Sequence, residues 1–183
     1  MELYRLFGEI LGYPTPSLHN QVDECLSLLT YLDMDAVGLM NEFRAFLEIT
    51  TLEQMEEIYT RTFDLQAICH PYVGYHLFGN GSQRGMFMAG LIEQYNVCRF
   101  SVGNELPDHI GIMLHFASTC TNAERKELVN ECVAPAVKKM VSGFEDDKNP
   151  YKKVLEALLL FLHSEGVDQT TPTMGSEGIL NGR

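Results

Sequence analysis

Apolar residues recur along this chain at the three-to-four-residue spacing of helices. The first example is Leu3, Leu6, Phe7, Ile10 and Leu11, which fall at i, i+3, i+4, i+7 and i+8. Similar stripes predict helices over most of residues 18–162, and no stretch alternates apolar and polar residues as a half-buried strand would. The pattern therefore predicts an all-α, single-domain helical bundle over residues 1–163.

Helix boundaries are marked by capping and breaking residues. Two stretches have the capping-box form, with threonine followed three residues later by glutamine or glutamate, at Thr51 and Thr121. Ser17 and Ser82 are predicted N-caps. Pro107 is predicted in the first turn of a helix over 107–120, and Pro135 is predicted to kink or divide a later helix. For the helix that begins at Ser82, the pattern places Met86, Ala89, Ile92 and Tyr95 on one side.

Residues 59–109 differ from the rest of the chain. They contain four acidic and three basic residues, whereas the whole chain carries a net charge of −12. They are also rich in aromatic residues and glycine, and residues 64–81 lose helical periodicity, which predicts a loop or a broken helix. Long ordered loops are often functional. A core or a binding groove could each explain this composition.

Charge, cysteines and apolar runs exclude several classes of protein. A net charge of −12 disfavours nucleic-acid binding and favours a cationic partner. The cysteines number five and show no C-x-x-C spacing, which is typical of reduced thiols. No run approaches the roughly 18 apolar residues of a membrane span, and no signal peptide is evident. We therefore expect a cytoplasmic protein without direct membrane insertion. Residues 164–183 are polar and predict a flexible tail.

Candidate catalytic groups are sparse. Cys69 and His70 are sequence neighbours, a poor arrangement for a nucleophile and its base. The histidines show no i, i+4 pair, and residues 79–85 resemble a phosphate loop only loosely. We expect neither catalysis nor a metal site nor a bound cofactor. A small helical hydrolase that uses Asp108 and His109 is retained as the alternative from a different class of protein.

A set of residues in this middle segment resembles a known family. The set is Tyr59, Phe63-Asp64, His76-Leu77-Phe78, Gly81, Arg84-Gly85 and Glu105-Leu106-Pro107-Asp108-His109, with Leu3-Tyr4-Arg5-Leu6 and Gly12-Tyr13-Pro14-Thr15 near the N-terminus. Their order and spacing are similar to those of the NarJ branch of the TorD/DmsD-type chaperones, over about residues 1–163. Gly79 and Asn80 depart from that pattern, because an acid that the branch carries there is missing.

The resemblance implies a cytoplasmic assembly chaperone that binds the N-terminal segment of an apo molybdoenzyme catalytic subunit. The client would be the nitrate reductase alpha subunit, or alternatively another molybdoenzyme with a full twin-arginine signal. The chaperone would keep that subunit competent for molybdenum cofactor insertion, acting as a monomer or weak homodimer.

The same resemblance implies a peptide-binding site. Its apolar groove would be formed by Tyr59, Phe63, Leu77 and Phe78, with His76 in the same motif. Asp64, Glu105 and Asp108 would meet the positive charge of the peptide. His109 would orient Asp108 or make the site respond to pH, and Arg84 would tether one of the acids rather than contact the peptide.

Overall fold

The structure, a computed structural model, describes residues 1–65 and 67–165. Its helices are α1 (Glu2–Ile10), α2 (Leu18–Leu29), α3 (Met34–Glu48), α4 (Leu52–Phe63), α5 (Val73–Phe78), α6 (Ser82–Val97), α7 (Ile110–Thr119), α8 (Asn122–Leu128), a π-helical segment (Val129–Val133), α9 (Ala134–Ser142) and α10 (Pro150–Ser164). The all-α prediction is confirmed. From residue 166 on, the predicted tail lies outside the described residues.

The core forms where α1 and α10 meet the helices around them. Helix α1 packs on α2 and α7, while α10 packs on α3 and α9. Aromatic rings join these layers. Tyr4 and Phe7 of α1 contact Phe161 of α10 at ring-centroid distances of 5.0 and 5.8 Å, and Phe43 of α3 contacts Tyr151 at 5.6 Å. The predicted apolar stripes of the first and last helices therefore supply the centre of the bundle.

Two glycines allow α1 and α7 to approach closely. A Cβ atom on Gly8 would lie 2.8 Å from the carbonyl oxygen of Gly111, and a Cβ on Gly111 would lie 2.8 Å from that of Gly8. Such distances are shorter than normal packing contacts, so no larger side chain fits at this crossing without movement. The crossing fixes the N-terminal end of α7 against α1.

Both predicted capping boxes are present. The hydroxyl oxygens of Thr51 and Thr121 accept hydrogen bonds from the backbone N–H groups three residues later. Of the two predicted serine caps, Ser17 is at the N-cap position of α2 but makes no side-chain capping bond, and its hydroxyl is hydrogen-bonded to that of Thr15 at 2.7 Å. The prediction for Ser82 is wrong. Ser82 is already the first residue of α6, and the extended residue Gly81 precedes it without a side-chain cap.

The helix predicted to follow the capping box at Thr121 is divided near Pro135, as predicted. Helix α8 passes into the π-helical segment Val129–Val133, and α9 begins at Ala134 with Pro135 in its first turn. Proline has no N–H group to donate to the preceding turn, and a wider π turn accommodates that loss.

Apart from Tyr95, the side of α6 that the sequence pattern marks as apolar is not the side that packs on the bundle. Leu91 and Tyr95 are buried, whereas Met86 and Ile92 are exposed. The Tyr95 hydroxyl donates to the carbonyl oxygen of Pro107 at 2.8 Å. Together with the ion pair between Arg84 and Asp108, this bond fixes which face of α6 packs against the bundle. Within the described part of the chain, no helix is long and apolar enough to cross a membrane.

Candidate functional site

A cavity of about 420 Å³ opens between α1, the end of α4 and the start of α7. We call it the histidine cavity. It is lined by Gly8, Glu9, Gly12, Tyr13, Tyr59, Phe63, Asp64, Pro71, Tyr72, Glu105, His109, Gly111, Ile112 and His115. Half of the ten residues predicted for the peptide site line it, namely Tyr59, Phe63, Asp64, Glu105 and His109. The segment 59–109 is therefore not sealed inside the bundle.

Two loops that are distant in sequence are joined beside this cavity by two backbone hydrogen bonds, which we call the clamp. The Val73 N–H donates to the Asp108 carbonyl oxygen, and the Ile110 N–H donates to that of Pro71, both at 2.8 Å. These bonds form an isolated antiparallel bridge between Tyr72 and His109. The bridge explains how the irregular segment after α4 and the residues before α7 come to share one site.

Asp108 lies behind the clamp and does not face solvent. Its carboxylate is fully buried and accepts two hydrogen bonds from Arg84, at 2.7 Å from Nε and 3.1 Å from Nη2. The guanidinium also lies over the Tyr72 ring, 4.9 Å from its centroid. The predicted tether by Arg84 is confirmed. Because a bidentate pair occupies the Asp108 carboxylate, this group is not available to meet a ligand's charge.

The side chain of His109 caps α7, which begins at Ile110, three residues later than the sequence predicts. Its Nδ1 atom accepts from the Gly111 N–H at 3.1 Å, so Nδ1 carries no proton. Its Nε2 atom lies 3.4 Å from the Tyr59 hydroxyl. Burial lowers the pKa of His109, although Glu105 and Asp108 act in the opposite direction. The imidazole is therefore neutral at neutral pH, and it contacts Tyr59 and Gly111 rather than orienting Asp108.

Aromatic rings form one wall of the histidine cavity. The Tyr59 ring contacts Phe63 at 4.9 Å and Tyr13 at 5.5 Å, measured between centroids. Tyr13 is 56% exposed, so it presents an apolar face to solvent beside the cavity. Tyr13 belongs to the family pattern noted in the sequence, but nothing there indicated that its ring would lie against Tyr59.

The charged residues that line the cavity are acidic. Glu9 is paired with Arg5 of the same helix. Asp64 and Glu105 are exposed, and neither belongs to an ion pair in the described part of the chain. Glu105 accepts hydrogen bonds from the Leu106 N–H at 2.9 Å and the Tyr72 hydroxyl at 3.4 Å. The cavity thus combines aromatic surface with two carboxylates that are free to pair with a cationic ligand.

The remaining predicted residues do not line the cavity. His76, Leu77 and Phe78 lie on α5, and Phe78 is 43% exposed while its ring packs on Phe87 at 5.4 Å. The Nε2 atom of His76 lies 2.7 Å from the carbonyl oxygen of His70. The single groove expected from the sequence is therefore divided into the histidine cavity and a separate apolar patch on α5.

The geometry does not favour hydrolytic chemistry. The thiol of Cys69 is buried, and burial raises its pKa to about 12, so it is not a thiolate at neutral pH. Asp108 and His109 make their hydrogen bonds to different partners and do not form an acid–base pair. Among the described residues, no group of histidine, cysteine and acidic side chains is arranged to hold a metal ion.

A family model and a related protein of known sequence identify the same family for this chain. The family model described as nitrate reductase delta subunit matches residues 31–164. Over 119 residues the chain is 30% identical to the Bacillus subtilis (strain 168) protein named probable nitrate reductase molybdenum cofactor assembly chaperone NarJ. That match covers 64% of this chain and 64% of the relative.

A solved structure supports the same fold. A crystal structure of a proposed redox enzyme maturation protein from Archaeoglobus fulgidus superposes with a TM-score of 0.63 at 23% sequence identity. The superposition covers 88% of this chain and 93% of that one.

Proposed function

Because this chain belongs to the nitrate reductase delta subunit family, we propose that it is a cytoplasmic assembly chaperone for a molybdoenzyme. Its client is the apo catalytic subunit of nitrate reductase, which it keeps competent for molybdenum cofactor insertion before membrane assembly. It binds the N-terminal leader segment of that subunit. The observation that carries this proposal is the histidine cavity, where aromatic rings and unpaired carboxylates lie side by side.

The leader has a basic part followed by an apolar part, and each part contacts different residues of the cavity. Its apolar side chains contact Tyr13, Tyr59 and Phe63, while its lysine or arginine residues pair with Asp64 and Glu105. Both carboxylates are exposed, so each pair contributes about 0.5–1 kcal/mol to binding. Two such pairs give about 1–2 kcal/mol, which corresponds to roughly a five- to thirtyfold change in affinity.

Other predicted site residues have supporting roles in this proposal. Arg84 and Asp108 hold the clamp that places Tyr72 and Glu105 at the cavity, and His109 fixes the start of α7. Leu77 and Phe78 form an apolar patch that a longer leader contacts outside the cavity, and His76 supports that patch.

Isothermal titration calorimetry with a synthetic leader peptide of the catalytic subunit tests the proposal. The wild-type chain is expected to bind saturably, with affinity that falls as salt is raised. The double variant Asp64→Asn/Glu105→Gln should bind about five- to thirtyfold more weakly. A matched control, Asp35→Asn/Glu145→Gln, removes the same charge from exposed sites that do not line the cavity and should bind normally.

Two results would count against the proposal. Absence of heat with the wild-type chain would remove the leader as a ligand. Equal weakening by both double variants would show a general charge effect instead of recognition at the cavity. A leader with an intact twin-arginine signal, titrated in parallel, tests the alternative client, because that client requires the exported leader to bind more tightly.

A further inference from the structure

The two unpaired carboxylates of the histidine cavity, those of Asp64 and Glu105, differ in how many of their oxygen atoms are open. Asp64 is the C-cap residue of α4, and its backbone N–H donates to the Thr60 carbonyl oxygen at 3.0 Å. Within the described part of the chain, the Asp64 carboxylate accepts no hydrogen bond. Each of its oxygens is therefore open to a ligand.

Glu105 makes two hydrogen bonds through one and the same oxygen. Its Oε1 atom accepts from the Leu106 N–H at 2.9 Å and from the Tyr72 hydroxyl at 3.4 Å. A carboxylate oxygen has two lone pairs, so these two donors use the accepting capacity of Oε1. Among the described residues no donor is bonded to Oε2, and this is the atom that meets the positive charge of a ligand.

Tyr72 is fixed in the position from which its hydroxyl reaches Glu105. Its backbone forms the isolated bridge to His109, and its ring centroid lies 5.8 Å from that of the His109 ring. The Arg84 guanidinium lies 4.9 Å from the same centroid and is itself held by the buried carboxylate of Asp108. Burial raises the pKa of the Tyr72 phenol, and Glu105 raises it further. The phenol therefore keeps its proton at neutral pH and donates it to Glu105.

The two basic side chains that a leader can carry differ in how they bind a carboxylate. A guanidinium is planar and can donate two parallel N–H bonds, one to each oxygen, whereas an ammonium is a compact charge that a single oxygen can satisfy. Asp64, with each oxygen open, gains the second bond from arginine and not from lysine. Glu105 forms the paired contact only if it loses its bond from Tyr72, so it binds lysine and arginine alike.

We propose that Tyr72 is a positioning residue that sets the specificity of the histidine cavity, because its hydroxyl restricts Glu105 to binding through one oxygen. The cavity then selects arginine at the leader position that meets Asp64, and it accepts either lysine or arginine at the position that meets Glu105. This inference rests on the proposed function, since its ligand is the leader segment.

Two synthetic peptides test the inference. Each has the sequence of the leader of the nitrate reductase catalytic subunit, except that every basic residue is arginine in one peptide and lysine in the other. Isothermal titration calorimetry gives the dissociation constant of each peptide, and the measured quantity is the ratio of the lysine value to the arginine value. A variant that is only less stable weakens both peptides equally and leaves this ratio unchanged.

Single variants separate the two carboxylates. In Glu105→Gln, Asp64 is the remaining unpaired acid, and the ratio should be about fivefold because arginine adds a second charge-assisted hydrogen bond. In Asp64→Asn, Glu105 remains, and the two dissociation constants should agree within about twofold, since one oxygen serves either cation.

The hydroxyl of Tyr72 is then removed in the Asp64→Asn background. Asp64→Asn/Tyr72→Phe frees a lone pair of the Glu105 Oε1 atom, so the ratio should rise from about one to about threefold or more as the paired contact with arginine becomes possible. Asp64→Asn/Tyr75→Phe is the matched control. It removes the same atom from a residue of α5 that does not line the cavity, and its ratio should stay at about one.

The outcomes that overturn the inference differ from the failure of the proposed function. A ratio that stays at about one in Asp64→Asn/Tyr72→Phe shows that the hydroxyl does not restrict Glu105, although leader binding stands. An arginine preference of about fivefold in Asp64→Asn alone, or an equal rise with Tyr72→Phe and Tyr75→Phe, also overturns the inference. If neither peptide binds the wild-type chain, the proposed function fails and the inference fails with it.

Discussion

The buried ion pair between Arg84 and Asp108 allows a quantitative test of how the site is held together. Asp108 is fully buried and Arg84 is 12% exposed, and two hydrogen bonds join them. Arg84→Met keeps an apolar stem but leaves the carboxylate buried without a partner. Breaking a buried pair in this way costs about 3–5 kcal/mol.

The expected cost lies toward the lower end of that range. Because part of the Arg84 side chain reaches solvent, water can partly solvate the carboxylate of the variant. We therefore predict a loss of about 3 kcal/mol in the free energy of unfolding. For a chain of this length, that loss corresponds to a decrease of roughly 6–12 °C in Tm.

Urea unfolding of single and double variants measures this cost. Arg84→Met/Asp108→Asn should be more stable than Arg84→Met, because an amide is less costly to bury than a carboxylate. Arg44→Met serves as the control, since Arg44 pairs with Asp23 and Glu48 on the surface, where solvent screens the charges and such pairs contribute little to stability. Equal losses for Arg84→Met and Arg44→Met, or no recovery in the double variant, would refute the reasoning.

Two further predictions concern the fold around the histidine cavity. Gly8→Ala should lower the free energy of unfolding by about 1–3 kcal/mol, because its Cβ would lie 2.8 Å from a backbone oxygen of α7, whereas Gly38→Ala, which meets nothing, should raise it by up to about 1 kcal/mol in the same urea assay. Burial lowers the pKa of His76, His109 and His115. Stability should therefore be nearly constant between about pH 6.5 and 8 and decrease as the pH falls below about 6.5, because the unfolded chain binds those protons first. Urea titrations that show greater stability at pH 5.5 than at pH 7.5 would contradict this.

The helices could be predicted because the sequence features that indicate them lie close together along the chain. The apolar stripe of α1 and the capping boxes at Thr51 and Thr121 each involve residues within a few positions of one another. The rotation of α6 was not predictable in the same way. Met86, Leu91 and Ile92 are all apolar, and long-range contacts made by Arg84 and Tyr95 decide which of them face inward.

The site was predictable only in part for a similar reason. The motif residues from Tyr59 to His109 were identified, but their grouping depends on the bridge between Tyr72 and His109, which joins positions far apart in sequence. The contribution of α1 to the cavity depends on the Gly8–Gly111 crossing, which the sequence shows only as two glycines within apolar helices.

The molybdenum content of the client tests the central claim most directly. Nitrate reductase catalytic subunit would be purified from cells that carry the wild-type chain, the Asp64→Asn/Glu105→Gln variant or no copy of it, and molybdenum per subunit would be measured by mass spectrometry. An assembly chaperone predicts near-stoichiometric molybdenum with the wild-type chain, a reduced content with the variant and almost none without the chain. Full molybdenum content in cells that lack the chain would contradict the account.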